Sequence, residues 1–383
     1  MKKLFYFGLL GLALYEIANV YFIMPMPGSQ RMNSIDLAYF LYSYRWWFRI
    51  IFIIMIMIGT PAAFSVPMKW KWVPVILILP VAYIVYTFNF NMTADHMFVQ
   101  PENLVFKPQA ENALTDSSIV VTVSHNNETK AYPIRFIQYH HQVRDVVGGK
   151  PVMVTYCNVC RTGRVFEPSV NGKPENFRLV GMDHFNAMFE DETTGSWWRQ
   201  ANGEAITGSM KGTMLPEVES NQMALRLFFM MYPTGTVMQR EDQFRTRYDS
   251  TGRYEKGRSK GMLTRTDSLS WKDKSWVVGI DLNGSATAYD WFDLKKKRAI
   301  NDKVGDIPVL VVISSDDQSF AAFKRQPDEV FTTRNDSLIG TSNKYDLMGR
   351  SADGSRLEVV KAYQEFWHSW RTFHPNTATY KAE

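Results

Sequence analysis

Two cysteines separated by two residues, Cys157 and Cys160, are the only cysteines in this chain of 383 residues. The β-branched residues before them, from Val152 to Tyr156, predict a β-strand. Gly163 then allows a tight turn, and Arg164-Val165-Phe166 predicts a returning strand. A C-x-x-C pair at such a tip can direct both sulfurs at one centre, which is the arrangement of a metal-binding knuckle.

A transition-metal site needs one or two ligands besides the two thiolates, and neutral imidazole suits both zinc and copper. Seven histidines are available: His96, His125, His140, His141, His184, His368 and His374. A short helix predicted from Phe136 to Val147 would let His140 fold back on the hairpin, whereas His141 would face elsewhere. We therefore predict Cys157, Cys160 and His140 as ligands of copper or zinc.

Three other interpretations of the cysteine pair remain open or can be excluded. A structural or redox-active disulfide suits an oxidising compartment, although a thioredoxin-like pair would precede a helix rather than a strand. Two buried thiols acting as small apolar side chains are the plainest alternative. Covalent haem attachment requires a histidine directly after the second cysteine, where Arg161 stands.

A second polar and aromatic stretch follows the hairpin, from Asp191 to Gln200 and on to Gly208. Tryptophans interleaved with polar groups are typical of a pocket rim, and a β-turn with a packed tryptophan pair is the alternative. Asp191 and Glu204 could serve there as acid and base. We predict that the site is lined by His141, Asp191, Trp198, Gln200 and Glu204.

Three apolar runs precede these motifs: Leu4 to Met24, Trp46 to Val66, and Val73 to Phe90. Each approaches the length of about 20 residues that a membrane-spanning helix needs. The hydrophobic content of 45% fits a membrane protein joined to a globular part. Glu16 lies inside the first run and must find a partner on a neighbouring helix or at the membrane interface.

Basic residues predict how these spans are oriented. Lysines flank the first run and occupy the connector between the second and third: Lys2, Lys3, Lys69 and Lys71. They favour a cytoplasmic N-terminus, against a weaker opposing signal from Arg31 and Arg45. Because three spans place the two chain ends on opposite sides, we predict a multi-pass inner-membrane protein of the cell envelope with a periplasmic C-terminal domain.

The composition after the spans predicts a β-rich α+β domain, because short apolar stretches alternate with turn residues. We expect a membrane domain at residues 1–92 and an extracytoplasmic domain at residues 95–383, with a mobile insertion at 239–275. The formal net charge of only +5 and the lack of a nucleic-acid motif in the sequence argue against nucleic acid as a partner. The membrane is the predicted partner, together with a protein or small ligand that the sequence does not identify.

The motifs, taken together at their spacings, also resemble those of a known protein family. The residues concerned are Tyr132-Pro133-Ile134-Arg135, His140, Asp145, Gly149-Lys150-Pro151-Val152, Thr155-Tyr156-Cys157, Cys160, Thr162-Gly163, Phe166, Asp191, Gly195-Ser196-Trp197-Trp198, Gln200 and Gly203-Glu204-Ala205-Ile206-Thr207-Gly208. In them the chain resembles a bacterial family of domains of unknown function, number three-one-seven-nine, whose members carry a Tyr-Cys-Pro-Leu-Cys knuckle.

The similarity runs from about Ala131 to about Gly212, and more loosely to His374-Pro375-Asn376-Thr377. Two departures stand out: Asn158 replaces the proline after the first cysteine, and His141 replaces a glutamate. The resemblance implies that the matching positions form one site, and it implies no reaction. The prediction is thus a membrane-anchored envelope protein with a metal site, and the alternatives are a binding module with a structural disulfide or a thiol–disulfide oxidoreductase.

Overall fold

The structure is a computed structural model that describes residues 1–381, and it divides into two compact units. The first unit comprises Met1–Val99, Glu175–Arg199 and Glu204–Met214. The second unit comprises Gln100–Pro174, Gln200–Gly203 and the chain from Leu215 onward. Both units are discontinuous in sequence, and the domain boundary predicted between residues 92 and 95 stays a prediction.

Helices form the first part of the chain, and strands predominate after it. The helices are α1 (Lys2–Tyr21), α2 (Ile35–Ser43), α3 (Arg45–Phe64), α4 (Trp72–Tyr86), α5 (Ala94–Met97), α6 (Ile134–His140), α7 (Leu225–Met231), α8 (Arg245–Thr251), α9 (Trp291–Lys297) and α10 (Trp367–Phe373). The strands are β1 (Phe106–Lys107), β2 (Ile119–His125), β3 (Glu128–Pro133), β4 (Gln142–Val147), β5 (Lys150–Cys157), β6 (Thr162–Phe166), β7 (Ser169–Val170), β8 (Lys173–Pro174), β9 (Phe177–Asp183), β10 (Asn186–Asp191), β11 (Trp197–Arg199), β12 (Ser220–Ala224), β13 (Thr236–Met238), β14 (Trp276–Leu282), β15 (Ser285–Asp290), β16 (Ala299–Val304), β17 (Ile307–Ile313), β18 (Phe320–Lys324), β19 (Thr332–Arg334), β20 (Ser337–Ile339), β21 (Lys344–Tyr345), β22 (Tyr363–Phe366) and β23 (Ala378–Thr379).

Three helical stretches of the first unit are long and apolar enough to cross a membrane: Lys2–Tyr21, Arg45–Phe64 and Met68–Asn91. Helices α1 and α3 pack closely at Gly59, which has no side chain to keep them apart. A Cβ atom at this position would lie only 2.3 Å from the backbone nitrogen of Phe5. Glu16 of α1 is paired with Arg49 of α3. The Nε and Nη2 atoms of Arg49 donate to the two carboxylate oxygens at 2.7 and 3.0 Å. Of the two predicted ways to satisfy this buried charge, a neighbouring helix or the membrane interface, the structure shows the first.

The first unit also contains an antiparallel sheet of β9, β10 and β11. Its apolar face, with Val180, Met188 and Trp197, packs against Val20 and Ile23 near the end of α1. The β9 strand meets the chain after α1 directly, where the Met182 amide donates to the Ile23 carbonyl at 2.7 Å. The membrane-type helices and this sheet therefore share one apolar core.

The second unit is β-rich, so the coarse prediction of mixed helix and strand is confirmed. Its sheets follow the orders β1-β13-β3-β2-β12, β4-β5-β6, β22-β14-β15-β23, β16-β17-β18, β19-β20-β21 and β7-β8. One apolar core includes Phe228, Leu310 and Leu338, and a second includes Ile280 and Trp291. The β4-β5-β6 sheet carries the cysteine hairpin.

The predicted strand-turn-strand is present as β5 and β6, with Cys157 opposite Thr162. Two local details of the prediction were wrong. Gly163 lies inside β6, and the left-handed residue of the turn is Arg161, with a φ of 57°. The predicted helix from Phe136 to Val147 ends at His140, because His141 adopts a φ of 62° and β4 follows.

The segment predicted as a mobile insertion, residues 239–275, contains a 3-10 turn and α8. It buries the aromatic rings of Tyr248 and Tyr254 in the second unit. Tyr248 packs on Phe136 of α6, with the ring centroids 4.5 Å apart. The segment thus contributes core side chains, while its mobility stays a prediction.

Candidate functional site

The cysteine pair is completely buried at the tip of the β5–β6 hairpin. Both side chains are 0% exposed and both are thiols rather than halves of a disulfide. The Cys160 thiol shares hydrogen bonds with Cys157 and with Ser369. Burial, reinforced by the neighbouring Cys157, raises the pKa of Cys160 well above its ordinary value, so the Cys160 thiol stays protonated unless a cation replaces its proton.

A lysine ammonium lies beside the two thiols. Lys274 Nζ donates to the Val159 carbonyl inside the cysteine turn at 2.6 Å. The same ammonium lies 4.7 Å from the centroid of the Phe366 ring, as in a cation–π contact. Burial lowers the pKa of Lys274, while Cys160 and then Cys157 act in the opposite direction. The site therefore places one partly buried ammonium beside two buried thiols.

A histidine from α10 also contacts the cysteine turn. His368 Nε2 lies 3.1 Å from the Val159 carbonyl and 3.1 Å from Lys274 Nζ. Burial, followed by the nearby Lys274 charge, lowers the pKa of His368 to about 3. The imidazole is accordingly neutral at physiological pH. His368 was among the seven candidates in the sequence, but nothing in its spacing singled it out.

A buried polar chain holds Ser369 in place. Its Oγ donates to Glu365 Oε2 at 2.7 Å, and Arg164 Nη2 donates to Glu365 Oε1 at 2.6 Å. The Arg164 and Glu365 side chains are 3% and 1% exposed. Because a buried charge is tolerated only when paired and hydrogen-bonded, this chain ties β6 to β22 and to the start of α10.

The left-handed residue of the turn is fixed by its own side chain. Arg161 is fully buried; its Nε donates to Gln364 Oε1 at 2.9 Å, and its Nη2 donates to the Glu255 carbonyl at 3.0 Å. The guanidinium carbon lies 3.6 Å from the centroid of the Trp276 ring. A positive φ is costly for a residue with a Cβ, so these contacts help to keep the turn in one conformation.

The two histidines singled out from the sequence lie at the end of α6. His140 Nε2 is 2.6 Å from the Tyr248 hydroxyl, and its ring meets Phe244 edge to face. His141 Nδ1 lies 3.2 Å from the Tyr139 carbonyl, and burial lowers the pKa of His141 to about 4. Both side chains have built-in partners in the second unit.

No group of three or more His, Cys, Asp or Glu side chains among residues 1–381 is arranged to hold a metal ion. Besides Cys157, the groups that interact with the Cys160 thiol include the Ser369 hydroxyl and the Lys274 ammonium. The role of His140 as a ligand, and the choice of copper or zinc, therefore stay predictions. A closed four-ligand zinc site has no preassembled donor set in the described part of the chain.

Gln200 is placed against the cysteine hairpin. Its Nε2 donates to Thr155 Oγ1 and to the Thr162 carbonyl, each at 2.9 Å. Thr155 belongs to β5 and Thr162 to β6, so one amide cross-links the two strands of the hairpin. Gln200 thus supports the strands that carry the cysteines.

The remaining three predicted lining residues, Asp191, Trp198 and Glu204, belong to the first unit. Trp198 Nε1 donates to Asp191 Oδ2 at 2.8 Å, and Asp191 also accepts from Thr194 Oγ1 at 2.7 Å. Glu204 instead pairs with Arg199 at 2.8 Å. The contacts of Asp191 are those of a turn-stabilising carboxylate, and the acid–base role of Asp191 and Glu204 stays a prediction.

The fold and the hairpin define a class: an α+β protein with a buried dithiol turn that follows three long apolar helices. The chain belongs to the family described as protein of unknown function (DUF3179), whose model matches residues 100–377. The family resemblance inferred from the motifs is therefore confirmed. A comparison with curated proteins finds no match. A comparison with solved structures finds none either.

The sequence located the cysteines but missed the residues that contact or support the cysteine turn. Lys274 lies in the segment interpreted as a loop, and Glu365 and Ser369 lie about two hundred residues after the hairpin. No motif links such distant positions. The aromatic run Phe366-Trp367-His368-Ser369-Trp370 is the one local signal, and such a run is equally typical of a terminal helix packed on the core.

Proposed function

We propose that this chain is a membrane-anchored envelope protein whose β-rich domain binds copper(I) through the sulfurs of Cys157 and Cys160. The observation that carries the proposal is the ammonium of Lys274 beside a fully buried dithiol. Copper bound there would supply a soft, thiolate-ligated centre, suited to storage, transfer or electron exchange. The chain's own residues supply the ligands, the compensating charge and the exclusion of water.

Charge balance favours a monovalent ion over zinc. Two thiolates and one copper(I) carry one net negative charge, and the Lys274 ammonium neutralises it. A neutral set is the combination that a buried, low-dielectric site tolerates best. Zinc would bring a second positive charge beside Lys274 and usually requires four ligands.

Proton release is part of binding at this site. The raised pKa of Cys160 means that the metal must displace a proton that burial holds in place. The neutral imidazole of His368, 3.1 Å from Lys274 Nζ, can accept a hydrogen bond from the ammonium and keep it oriented toward the turn. Ser369 donates to Glu365 and is thereby fixed next to Cys160.

The membrane part of the proposal is supported by three helical stretches of suitable length and apolarity. The lysines before α1 and before α4 favour the cytoplasmic side for those ends. An odd number of spans then places the cysteine domain outside the cytoplasm. That compartment is oxidising, and a buried site would protect the thiols from oxidants.

A second candidate function is a thiol–disulfide couple, which the hydrogen bond between Cys160 and Cys157 favours. Oxidation would join the two sulfurs and pass two electrons and two protons to a disulfide of a partner. Both thiols are 0% exposed, so such an exchange would require the hairpin tip to open. This function therefore ranks behind metal binding.

The test is metal analysis of the full chain, purified in detergent under anaerobic, reducing conditions and offered copper(I) and zinc(II) separately. We expect one copper per chain, lost in Cys157→Ser and in Cys160→Ser. Ser314→Ala removes a buried hydroxyl outside the hairpin and should keep the copper. His140→Ala should also keep it, since His140 is bonded to Tyr248.

Three results would overturn the copper(I) proposal. Zinc binding that His140→Ala abolishes would favour the three-ligand site predicted from the sequence. A metal-free chain whose two thiols convert reversibly to a disulfide would favour the redox couple. A chain that binds neither metal and stays reduced would leave the cysteines as packing residues.

A further inference from the structure

The first unit contains a cavity of about 320 Å³ at the polar ends of its long helices. Polar side chains from α1, α3, the stretch after α4 and β9 line it: Asn19, Arg45, Arg49, Asn89, Asp95 and Arg178. Apolar groups, among them Val20 and Phe88, complete the wall. Its volume lies within the range of ordinary small-ligand sites.

Two of the three guanidinium groups in the cavity are compensated by carboxylates. Arg49 forms its bidentate pair with Glu16. Arg178 pairs with Glu190 at 2.8 Å and with Asp95 at 3.2 Å. Both guanidinium groups are therefore already paired within the first unit, and Arg178 has one carboxylate more than its single charge requires.

Arg45 differs from both. Its Nη1 donates to the Tyr42 carbonyl at 2.8 Å, and the guanidinium lies 4.1 Å from the centroid of the Tyr42 ring. No carboxylate within residues 1–381 forms an ion pair with it. Arg178, by contrast, faces two carboxylates. The cavity thus has an uncompensated cation at Arg45 and an excess of acidic groups around Asp95.

An unsatisfied acceptor lies in the same cavity wall. Asn19 is 8% exposed, and its Oδ1 has no hydrogen-bond donor among the described residues. A buried polar atom without a hydrogen-bond partner is destabilising, and a bound donor would remove that cost. The cavity is therefore complementary to a ligand with an anionic end for Arg45 and a hydrogen-bond-donating cationic end for Asn19 and Asp95.

We propose that this cavity binds phosphoethanolamine, as the headgroup of a phosphatidylethanolamine lipid. The phosphate would pair with Arg45, and the ammonium would donate to Asn19 Oδ1 and Asp95. The assignment rests on the membrane placement in the proposed function, since the ends of α1 and α4 and the start of α3 then lie at the same membrane face. Apolar side chains along the helices, such as Ile50 and Leu79, are exposed and would lie against the acyl chains.

The experiment uses the full chain reconstituted into vesicles of phosphatidylethanolamine and phosphatidylglycerol in equal amounts. Lipids retained after extraction into mild detergent are counted by native mass spectrometry. We expect phosphatidylethanolamine to be retained preferentially, and Arg45→Gln and Asn19→Leu each to reduce its retention about tenfold, the effect of losing one charged or buried hydrogen bond. Arg45→Lys keeps the charge and should retain most of the lipid.

The matched control is Arg31→Gln, which removes an exposed arginine from the loop between α1 and α2, outside the cavity. It should leave lipid retention unchanged. Soluble glycerophosphoethanolamine should displace the lipid if the headgroup alone is recognised, whereas lipid that resists it would show that the acyl chains are required. Displacement by inorganic phosphate at the same concentration would reduce the cavity to a simple anion site and overturn the proposal.

Equal retention of both lipids, or an Arg31→Gln effect as large as that of Arg45→Gln, would also overturn it. Alkaline carbonate extraction of the vesicles separates this outcome from failure of the proposed function. A chain that remains in the membrane without lipid preference contradicts the headgroup site alone. A chain that washes off contradicts the membrane placement itself.

Discussion

Lys274 is the residue through which the account of the cysteine site is most easily tested. Its ammonium lies against the cysteine turn and, in the proposed function, would offset the charge of a copper–dithiolate centre. We expect Lys274→Met to weaken copper(I) binding at least about tenfold, because an uncompensated charge is costly in a buried site. Competition with a copper(I) chelator measures the affinity.

Lys272→Met is the control, since Lys272 is exposed and lies two residues away on the same segment. Its copper affinity should equal that of the parent chain. If Lys274→Met binds copper as tightly as Lys272→Met does, charge compensation by Lys274 plays no part in the site.

Glu255 predicts a pH dependence of stability. Burial raises its pKa from the ordinary 4.5 to about 7 in the folded chain. A carboxyl with a raised pKa stabilises the fold fully below pH 4.5, and this contribution is lost as the pH rises to about 7. The neutral variant Glu255→Gln should therefore become increasingly more stable than the parent between pH 4.5 and 7.

Thermal unfolding of both proteins across this pH range measures the difference, which should level off above pH 7. Comparing the two proteins removes the opposite contribution of His368, whose lowered pKa destabilises both alike as the pH falls. Glu111→Gln, an exposed carboxyl, serves as the control. A constant difference between Glu255→Gln and the parent would contradict the raised pKa.

Residues near one another in sequence were predictable, and residues brought together by the fold were not. The cysteine hairpin followed from β-branched residues around a C-x-x-C spacing, which are local signals. Arg161 could not be recognised as the left-handed residue, because its conformation is held by Gln364 and Trp276 from distant strands. Lys274 and Ser369 were missed for the same reason.

Among the secondary-structure elements, the β5–β6 hairpin depends on Gln200. Its amide bonds to Thr155 and to Thr162, and both bonds are buried. We expect Gln200→Met, which keeps the length of the side chain, to lower the free energy of unfolding by about 1–3 kcal/mol. Chemical denaturation measures the loss, and copper stoichiometry at saturation should stay at one.

Lower stability with unchanged copper stoichiometry would show that Gln200 cross-links the two strands and is not a ligand of the metal. Asn202→Ala, close by in sequence with a half-buried side chain, is the comparison for a generic loss of polarity in this loop. Loss of copper in Gln200→Met without loss of stability would instead make Gln200 a ligand of the metal.

Helix boundaries show where element prediction failed. The apolar runs predicted the long helices well, because a membrane-type helix is recognised by the length of its apolar run and needs no amphipathic pattern. The stretch from Phe136 to Val147 was mispredicted, because its β-branched second half pairs with β5 as β4. A sheet partner outside the window decided its conformation.

For the whole molecule, the central prediction is the orientation of three spans. In a Cys157→Ser, Cys160→Ser background, Lys173→Cys should react with a membrane-impermeant thiol reagent added to intact cells. Lys69→Cys should react only after the inner membrane is permeabilised, because it lies in the connector predicted to be cytoplasmic. Both lysines are exposed, so burial does not confound the comparison. The reverse labelling pattern would place the β-rich domain in the cytoplasm.

The sequence predicted the β-rich part, its family and the place of the cysteines at the tip of a hairpin. It could not predict which residues surround the cysteines. The sequence predicted that Glu16 needs a partner, because a charge inside an apolar helix must be satisfied, but it did not identify Arg49 as that partner. The grouping of β9, β10 and β11 with the helices was not, since it depends on the apolar contacts of Val180 and Trp197.

The most direct test of the central claim is X-ray absorption at the copper edge of the full chain loaded with one copper(I). We predict that copper has two sulfur neighbours, supplied by Cys157 and Cys160, and no imidazole nitrogen. A spectrum that requires a histidine ligand, or copper without sulfur neighbours, would contradict the account of a charge-compensated dithiol.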